Sequence, residues 1–402
     1  MQNSQNEHRE TIASSGDDYP KPMRVMHLIT GLGVGGAETM LAKLLGATTK
    51  SRFTSTVVSM IQPGPMAQTI RSLGVPVDSL GLTRGVPRPS ALPALLKLIR
   101  DFRPDVLQTW MYHADILGVL TGRAARVPAV VWNIRGSNLD SRNPGLSFRS
   151  VFAAHGFLSR FTSATVVNSA AGMSFHQSHG HHPPRWEQIP NGFDLARFRA
   201  DEGARARGRA ELGLSVDDIA IGMVARFDQA KDHATFLAAA KLVGDRQPRA
   251  VFVLAGTGMT KDNGAIMKQI LDAGLGPRVR LLGEYGDPSR LFPCFDIATL
   301  CSHTEGFPNA VGEAMSCEVP CVATNVGDSA LLIGDCGRLV PPRDPNAVAQ
   351  SWMDLIALGE AGRRRLGAAA RARIEERYSL PRIVAAYETL YRDLLRSRAR
   401  AG

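Results

Sequence analysis

From residue 24 onward the chain alternates short apolar, β-branched runs with longer stretches of helical periodicity. Apolar runs at 24–30, 54–60, 105–110, 129–133 and 163–169 are each bounded by turn residues and separated by helical patterns, as at 114–125 and 170–178. That alternation predicts a parallel sheet covered by helices on both faces. A second series restarts after residue 195, with strand-like runs at 219–227, 250–256, 278–283, 296–302 and 320–324, and implies a second doubly wound sheet ending near Pro342. The reading is therefore α/β, with two Rossmann-like domains facing across a cleft. A polar leader (1–20) precedes a first domain (21–195), a second domain (196–380) and a last amphipathic helix (381–402). That helix packs either on its own domain or back on the first. Strand carboxyl ends facing each other across a cleft are the default ligand site.

The 402 residues suit two domains, and 44% hydrophobic with 21% charged side chains excludes wholesale disorder. No apolar stretch is long enough to cross a bilayer. Five cysteines without C-x-x-C spacing (Cys294, Cys301, Cys317, Cys321, Cys336) read as reduced thiols in a cytoplasmic protein. The net charge of +10 is uneven: residues 21–195 carry 18 basic and 8 acidic side chains, whereas residues 196–402 carry 28 and 25. A basic first domain suits phosphorylated substrates, an anionic membrane surface or simply a solvated face. Without aromatic-interleaved basic clusters, nucleic acid is not expected as a partner.

Gly31, Gly33 and Gly36 form a glycine turn between a strand and a helix, which suits close approach of a phosphate or simply tight packing. The next strand ends Ser59-Met60-Ile61-Gln62 with no acid for ribose hydroxyls, so a dinucleotide site is disfavoured. Arg226 ends a strand and Lys231 follows five residues later, a cation pair suited to a diphosphate or to the bare surface. Glu305 follows another strand, Gly306-Phe307-Pro308 makes a turn, Asn309 is a candidate N-cap, and Glu313 falls in the helix. The two glutamates lie within about 12 Å of each other if the segment is helical, close enough to hold one elongated ligand at two points. His176, His179, His181 and His182 have spacing that can ligate metal, but with Pro183-Pro184 after them they read as a solvated loop.

Taken in order, Gly35-Gly36-Ala37-Glu38, Asn191-Gly192-Phe193-Asp194, Arg226 with Lys231, Glu305-Gly306-Phe307-Pro308-Asn309 and Glu313-Ala314-Met315 resemble the family-4 retaining glycosyltransferases of the GT-B fold. The likeness runs from about residue 24 to residue 395, and Glu305 with Glu313 matches the family's E-x7-E spacing. The resemblance implies the following roles. Arg226 and Lys231 bind the donor diphosphate. Glu313 binds the ribose, while Glu305 and the backbone around Phe307, Pro308 and Asn309 hold the donor sugar. Glu284 and Tyr285 lie near the base, and Gly35 and Gly36 approach from the first domain. His113, Asn133 and Arg135 stand on the sugar or acceptor side, because Asn133-Ile134-Arg135 occupies a loop where many members have a histidine. Glu318 stands where the family usually has glycine, so either strain or a different turn is expected there.

The implied reaction moves a hexose-type sugar from a nucleotide-diphosphate donor, of UDP type, to a glycan or lipid-linked glycan with retention of configuration. No Asp-x-Asp occurs, and neither metal nor other cofactor is expected. An epimerase or phosphorylase on the same fold, and a noncatalytic phosphosugar-binding protein, are the alternatives. The expected location is cytoplasmic, at the inner membrane face if the basic domain binds lipid.

Overall fold

A computed structural model describes residues 21–83, 90–136 and 146–401; the leader expected at 1–20 lies outside them. The first sheet contains β1 (Met23–Ile29), β2 (Phe53–Ile61), β3 (Val77–Leu82), β4 (Val106–Trp110), β5 (Ala129–Ile134), β6 (Ala164–Val167) and β7 (Trp186–Gln188). Its order is 3-2-1-4-5-6-7, and all the pairings are parallel. The second holds β8 (Ile219–Val224), β9 (Ala250–Ala255), β10 (Val279–Leu281), β11 (Ile297–Leu300), β12 (Cys321–Thr324) and β13 (Gly337–Val340), in the parallel order 10-9-8-11-12-13. The central strands are buried on both faces, which is why β5 and β9 read as nearly unbroken apolar runs.

Each sheet has its own core. Met26, Leu28, Leu95 and Trp132 pack on one face of the first sheet. On the other face, Ile29, Leu41, Trp110 and Val131 pack together with Leu380, Ile383, Tyr387, Leu390 and Tyr391. Those last five belong to the helix Leu380–Ala401, so the final helix crosses back to the first sheet. Polar contacts fix its register: Asn133 Nδ2 donates to the Tyr387 hydroxyl at 3.1 Å, and the Tyr391 hydroxyl donates to Gln108. Phe236, Phe252 and Trp352 anchor the second core.

The two chain crossings between the domains run side by side. Phe193 N–H donates to Tyr378 O, and Leu380 N–H donates to Phe193 O, both at 2.9 Å. A Cβ at Gly192 would come within 3.0 Å of Leu380 Cα, so any side chain there would push the crossings apart by a few tenths of an ångström. The Phe193 ring in turn fills the space over Gly312, where a Cβ would stand 2.0 Å from the ring. The Asn191-Gly192-Phe193 segment thus packs the hinge against the helix Asn309–Ser316, which carries Glu313.

Candidate active site

The strand order reverses between β1 and β4 in the first sheet and between β8 and β11 in the second. Loops leaving these strands diverge there and open a crevice. Residues after β1, β4, β5 and β11 line one interdomain cleft of about 490 Å³, among them Gly36, Glu38, Tyr112, Arg135, Glu305 and Asn309. A smaller recess of about 140 Å³ includes Gly35, Gly36, Lys43, Asn191, Asn309 and Glu313. Gly36, Asn191 and Asn309 line both, so the two spaces are neighbours.

Helix Gly36–Ala47 begins directly at the cleft, with Gly35 as its N-cap. A Cβ on Gly36 would lie 3.5 Å from Asn309 Nδ2, and one on Gly35 would lie 2.6 Å from the Glu38 carboxylate. Gly36 thus faces the second domain at contact distance, and the absent Cβ at Gly35 makes room for the Glu38 carboxylate of its own helix. Asn191 Nδ2 donates to Asn309 Oδ1 at 2.6 Å across that gap. Asn309 is the first residue of its helix and makes no cap; Pro308 occupies the N-cap position, which corrects the expected role of Asn309. Its side chain is committed to Asn191 instead.

Lys231 and Glu305 meet. Lys231 Nζ lies 2.5 Å from Glu305 Oε1, and the Ser302 hydroxyl donates to the same oxygen at 2.6 Å. Lys231 closes a short turn after β8, held by the Asp228 carboxylate accepting from Ala230 N–H. Glu313 faces Lys43 of the first domain at 3.8 Å. Burial raises the Glu313 pKa, with Lys43 and then Arg197 opposing. A third link joins the domains: the Asp328 carboxylate accepts from the Ala170 and Ala171 amides at 2.8 and 3.1 Å, and from Gln188 Nε2 at 3.3 Å.

Other expected residues are placed differently. Arg226 has 65% of its side chain exposed, with its Nε 3.3 Å from Asp228, and it lines neither space. Phe307 lines the cleft while packing on Phe193. Glu284 is exposed and Tyr285 half-buried against the second core; neither lines the two spaces. His113 is exposed on helix Tyr112–Ala124, and its neighbour Tyr112 is the residue that lines the cleft. Asn133 is fully buried against Tyr387, which removes it from the sugar side, whereas Arg135 two residues on does line the cleft.

The histidine cluster corrects the sequence reading. His179 and His182 are exposed, but His176 and His181 are fully buried, because helix Ala170–Ser178 carries the first inward and the following turn returns the second. His155 bridges Asp115 at 3.0 Å and His181 at 2.8 Å, and His176 Nε2 meets the Tyr112 hydroxyl at 2.9 Å. Burial pushes the pKa values of His155 and His181 down to about 3 and that of His176 to about 4. Among the described residues no group of three or more His, Cys, Asp or Glu is arranged to hold a metal ion.

Sequence reasoning passed over Met111, Lys43, Ser302 and Asp328. Met111 links β4 to its helix at φ 75° and ψ 152°, a conformation that side chains rarely adopt, and lines the cleft. None of the four stands in a pattern that marks chemistry; Met111 and Ser302 are placed by their own domains, whereas Lys43 and Asp328 find their partners only where the domains meet.

Two family models match the chain in the same order as its sheets: Glycosyltransferase Family 4 over residues 34–197 and Glycosyl transferases group 1 over residues 218–357. The chain belongs to the family-4 glycosyltransferases. Among relatives of this transferase, the putative glycosyltransferase EpsF of Bacillus subtilis is 27% identical over 355 residues, covering 85% of this chain and 88% of the relative. An Escherichia coli UDP-Gal:alpha-D-GlcNAc-diphosphoundecaprenol alpha-1,3-galactosyltransferase is 28% identical, over 60% of this chain and 63% of its own length. Anabaena Alr3699/HepE, solved with UDP, superposes with a TM-score of 0.80 at 21% identity, covering 92% of this chain and 99% of that one. That likeness establishes the GT-B fold. No helix among the described residues is long and apolar enough to cross a membrane.

Proposed function

We propose that this transferase moves a hexose-type sugar from a UDP-sugar to a glycan or lipid-linked glycan acceptor, with retention and without a metal ion. The observation carrying this reading is the interdomain cleft, where Glu305, ion-paired with Lys231, and Glu313 line adjoining spaces closed from the other side by Gly35 and Gly36. The donor type is supported by the Escherichia coli relative, named for UDP-Gal and a diphospholipid-linked sugar, and by Alr3699/HepE structures holding UDP and UDP-glucose.

In this reading Lys231 and the amide end of helix Asn309–Ser316 receive the departing diphosphate, and Arg226 joins them by leaving Asp228. Preorganised positive charge at the leaving group lowers the barrier most where water is excluded. Glu305 and the backbone at Phe307 and Pro308 hold sugar hydroxyls. Glu313 accepts from the ribose, and Glu284 and Tyr285 border the base. No carboxylate is assigned as a nucleophile, so the acceptor oxygen attacks on the face the diphosphate leaves. The C1–oxygen bond to the diphosphate breaks, the bond to the acceptor oxygen forms, and the acceptor proton passes to the departing phosphate. The basic first domain suits a peripheral place on an anionic membrane at the cytoplasmic face.

Thermal scanning against UDP-, GDP- and ADP-linked sugars tests the donor class, because a ligand of the folded state raises the melting temperature by mass action. A UDP-sugar should raise it in EDTA buffer. No response to any UDP-sugar contradicts the reading.

A further inference from the structure

Arg135 follows β5 and lines the cleft beside Asn191, Glu305 and Asn309. Its guanidinium carbon lies 5.0 Å from the centre of the Trp110 ring, and its two terminal nitrogens donate to Asn191 Oδ1 and to the Tyr387 hydroxyl. Both acceptors are neutral. Among the described residues no acid forms an ion pair with it, and its buried Nε has no partner. The other cations assigned to the site each have a carboxylate: Lys231 has Glu305, Lys43 has Glu313 and Arg226 has Asp228.

An uncompensated guanidinium is costly to bury. Burial is the leading influence on Arg135 and lowers its pKa, while the groups opposing it are tyrosines. Bracing Asn191 and Tyr387 does not account for a charge there. Those bonds need only N–H groups, and neutral Asn133 already donates to the same Tyr387 hydroxyl at 3.1 Å. The cation instead sits in the cleft wall, fixed by Trp110, Asn191 and Tyr387 and, among the described residues, without an ion-paired acid.

We propose that Arg135 is the docking point for an anionic oxygen group, a phosphate or a carboxylate, carried by one of the transferase's two substrates. A planar fork of N–H donors matches such groups and discriminates against neutral ones. The inference rests on the proposed reaction for the identity of the carrier. The group belongs either to the donor sugar, as in a uronic acid, or to the acceptor.

Calorimetry on the full chain separates these sources. One arm compares UDP-glucuronate with UDP-glucose. The other titrates inorganic phosphate and malonate into the protein with and without saturating UDP. Donor-borne charge predicts tighter binding of UDP-glucuronate; acceptor-borne charge predicts phosphate or malonate binding to the UDP complex. In either case Arg135→Gln should weaken the responding arm at least about tenfold, and Arg135→Lys should keep part of it. Wild-type protein that shows neither response overturns the proposal, as does an Arg135→Gln variant that matches wild type. Should that variant not fold, the wild-type arms decide alone. Failure to bind UDP would instead remove the proposed reaction, and the difference between wild type and Arg135→Gln in the titration without UDP would still decide the role of Arg135.

Discussion

At residue 318 the backbone turns left-handed, with φ 61° on a glutamate. The turn ends helix Asn309–Ser316, and Glu318 O would lie 1.8 Å from a Cβ on Gly367, so neighbouring packing enforces it. A left-handed conformation costs an L-residue more than it costs glycine. The Glu318 side chain offers little in return, a 3.9 Å ion pair with Arg371. Glu318→Gly should therefore stabilise the protein by about 0.5–1 kcal/mol, read as a higher urea midpoint; an unchanged or lower midpoint contradicts it. The glutamate at that turn was legible in the sequence, as were Lys231, Glu305 and Glu313, because each stands in or beside a short segment that joins a strand to a helix or ends one. Which cation meets which acid was not legible. Lys231 bonds Glu305 while Arg226 turns to Asp228, a choice made by side-chain geometry within a few residues.

Among the elements, the central strands were readable and three edge strands were not. β3, β7 and β13 lie at sheet edges, are short or partly exposed, and lack the apolar runs of β1, β5 and β9. The final helix had an evident apolar stripe but no local signal naming its partner; the first sheet supplies it through Gln108 and Asn133. The buried histidines were hidden because their burial comes from packing of helices Leu146–Leu158 and Ala170–Ser178 around Tyr112. Those histidines make stability pH-dependent. His155 and His181 at about 3 and His176 at about 4, with His27 at about 3 and His233 at about 4, stay neutral when folded but bind protons when unfolded below about pH 6.5. The unfolded state then binds more protons, so their contribution is intact above pH 6.5 and is lost as pH falls towards 4. Each ring contributes up to about 1.4 kcal/mol per pH unit in that window. Buried Asp115, Glu313 and Asp328, with raised pKa values, work the other way, but there are three of them against five rings. Urea midpoints should be lower at pH 5.5 than at pH 7.5; an equal or higher value at pH 5.5 contradicts the assignment.

For the whole molecule, the two domains are joined by paired crossings at Phe193 and Leu380 and by three contacts between them, Asn191–Asn309, Lys43–Glu313 and Asp328 with the Ala170 and Ala171 amides. All three depend on how closely the domains stand, so ligand binding and domain approach are linked. The sequence predicted both sheets and the cleft between them from alternation alone, whereas the contacts that span it come from residues without a common motif. Under the proposed function a nucleoside diphosphate binds between the domains and is held by Lys231, beside the cleft residue Glu305. The decisive measurement is isothermal titration of UDP in EDTA buffer. Wild-type protein should bind, and Lys231→Ala should weaken binding at least about tenfold, as expected for loss of a charge-assisted contact. Equal affinity in the two proteins, or no binding by wild type, contradicts it.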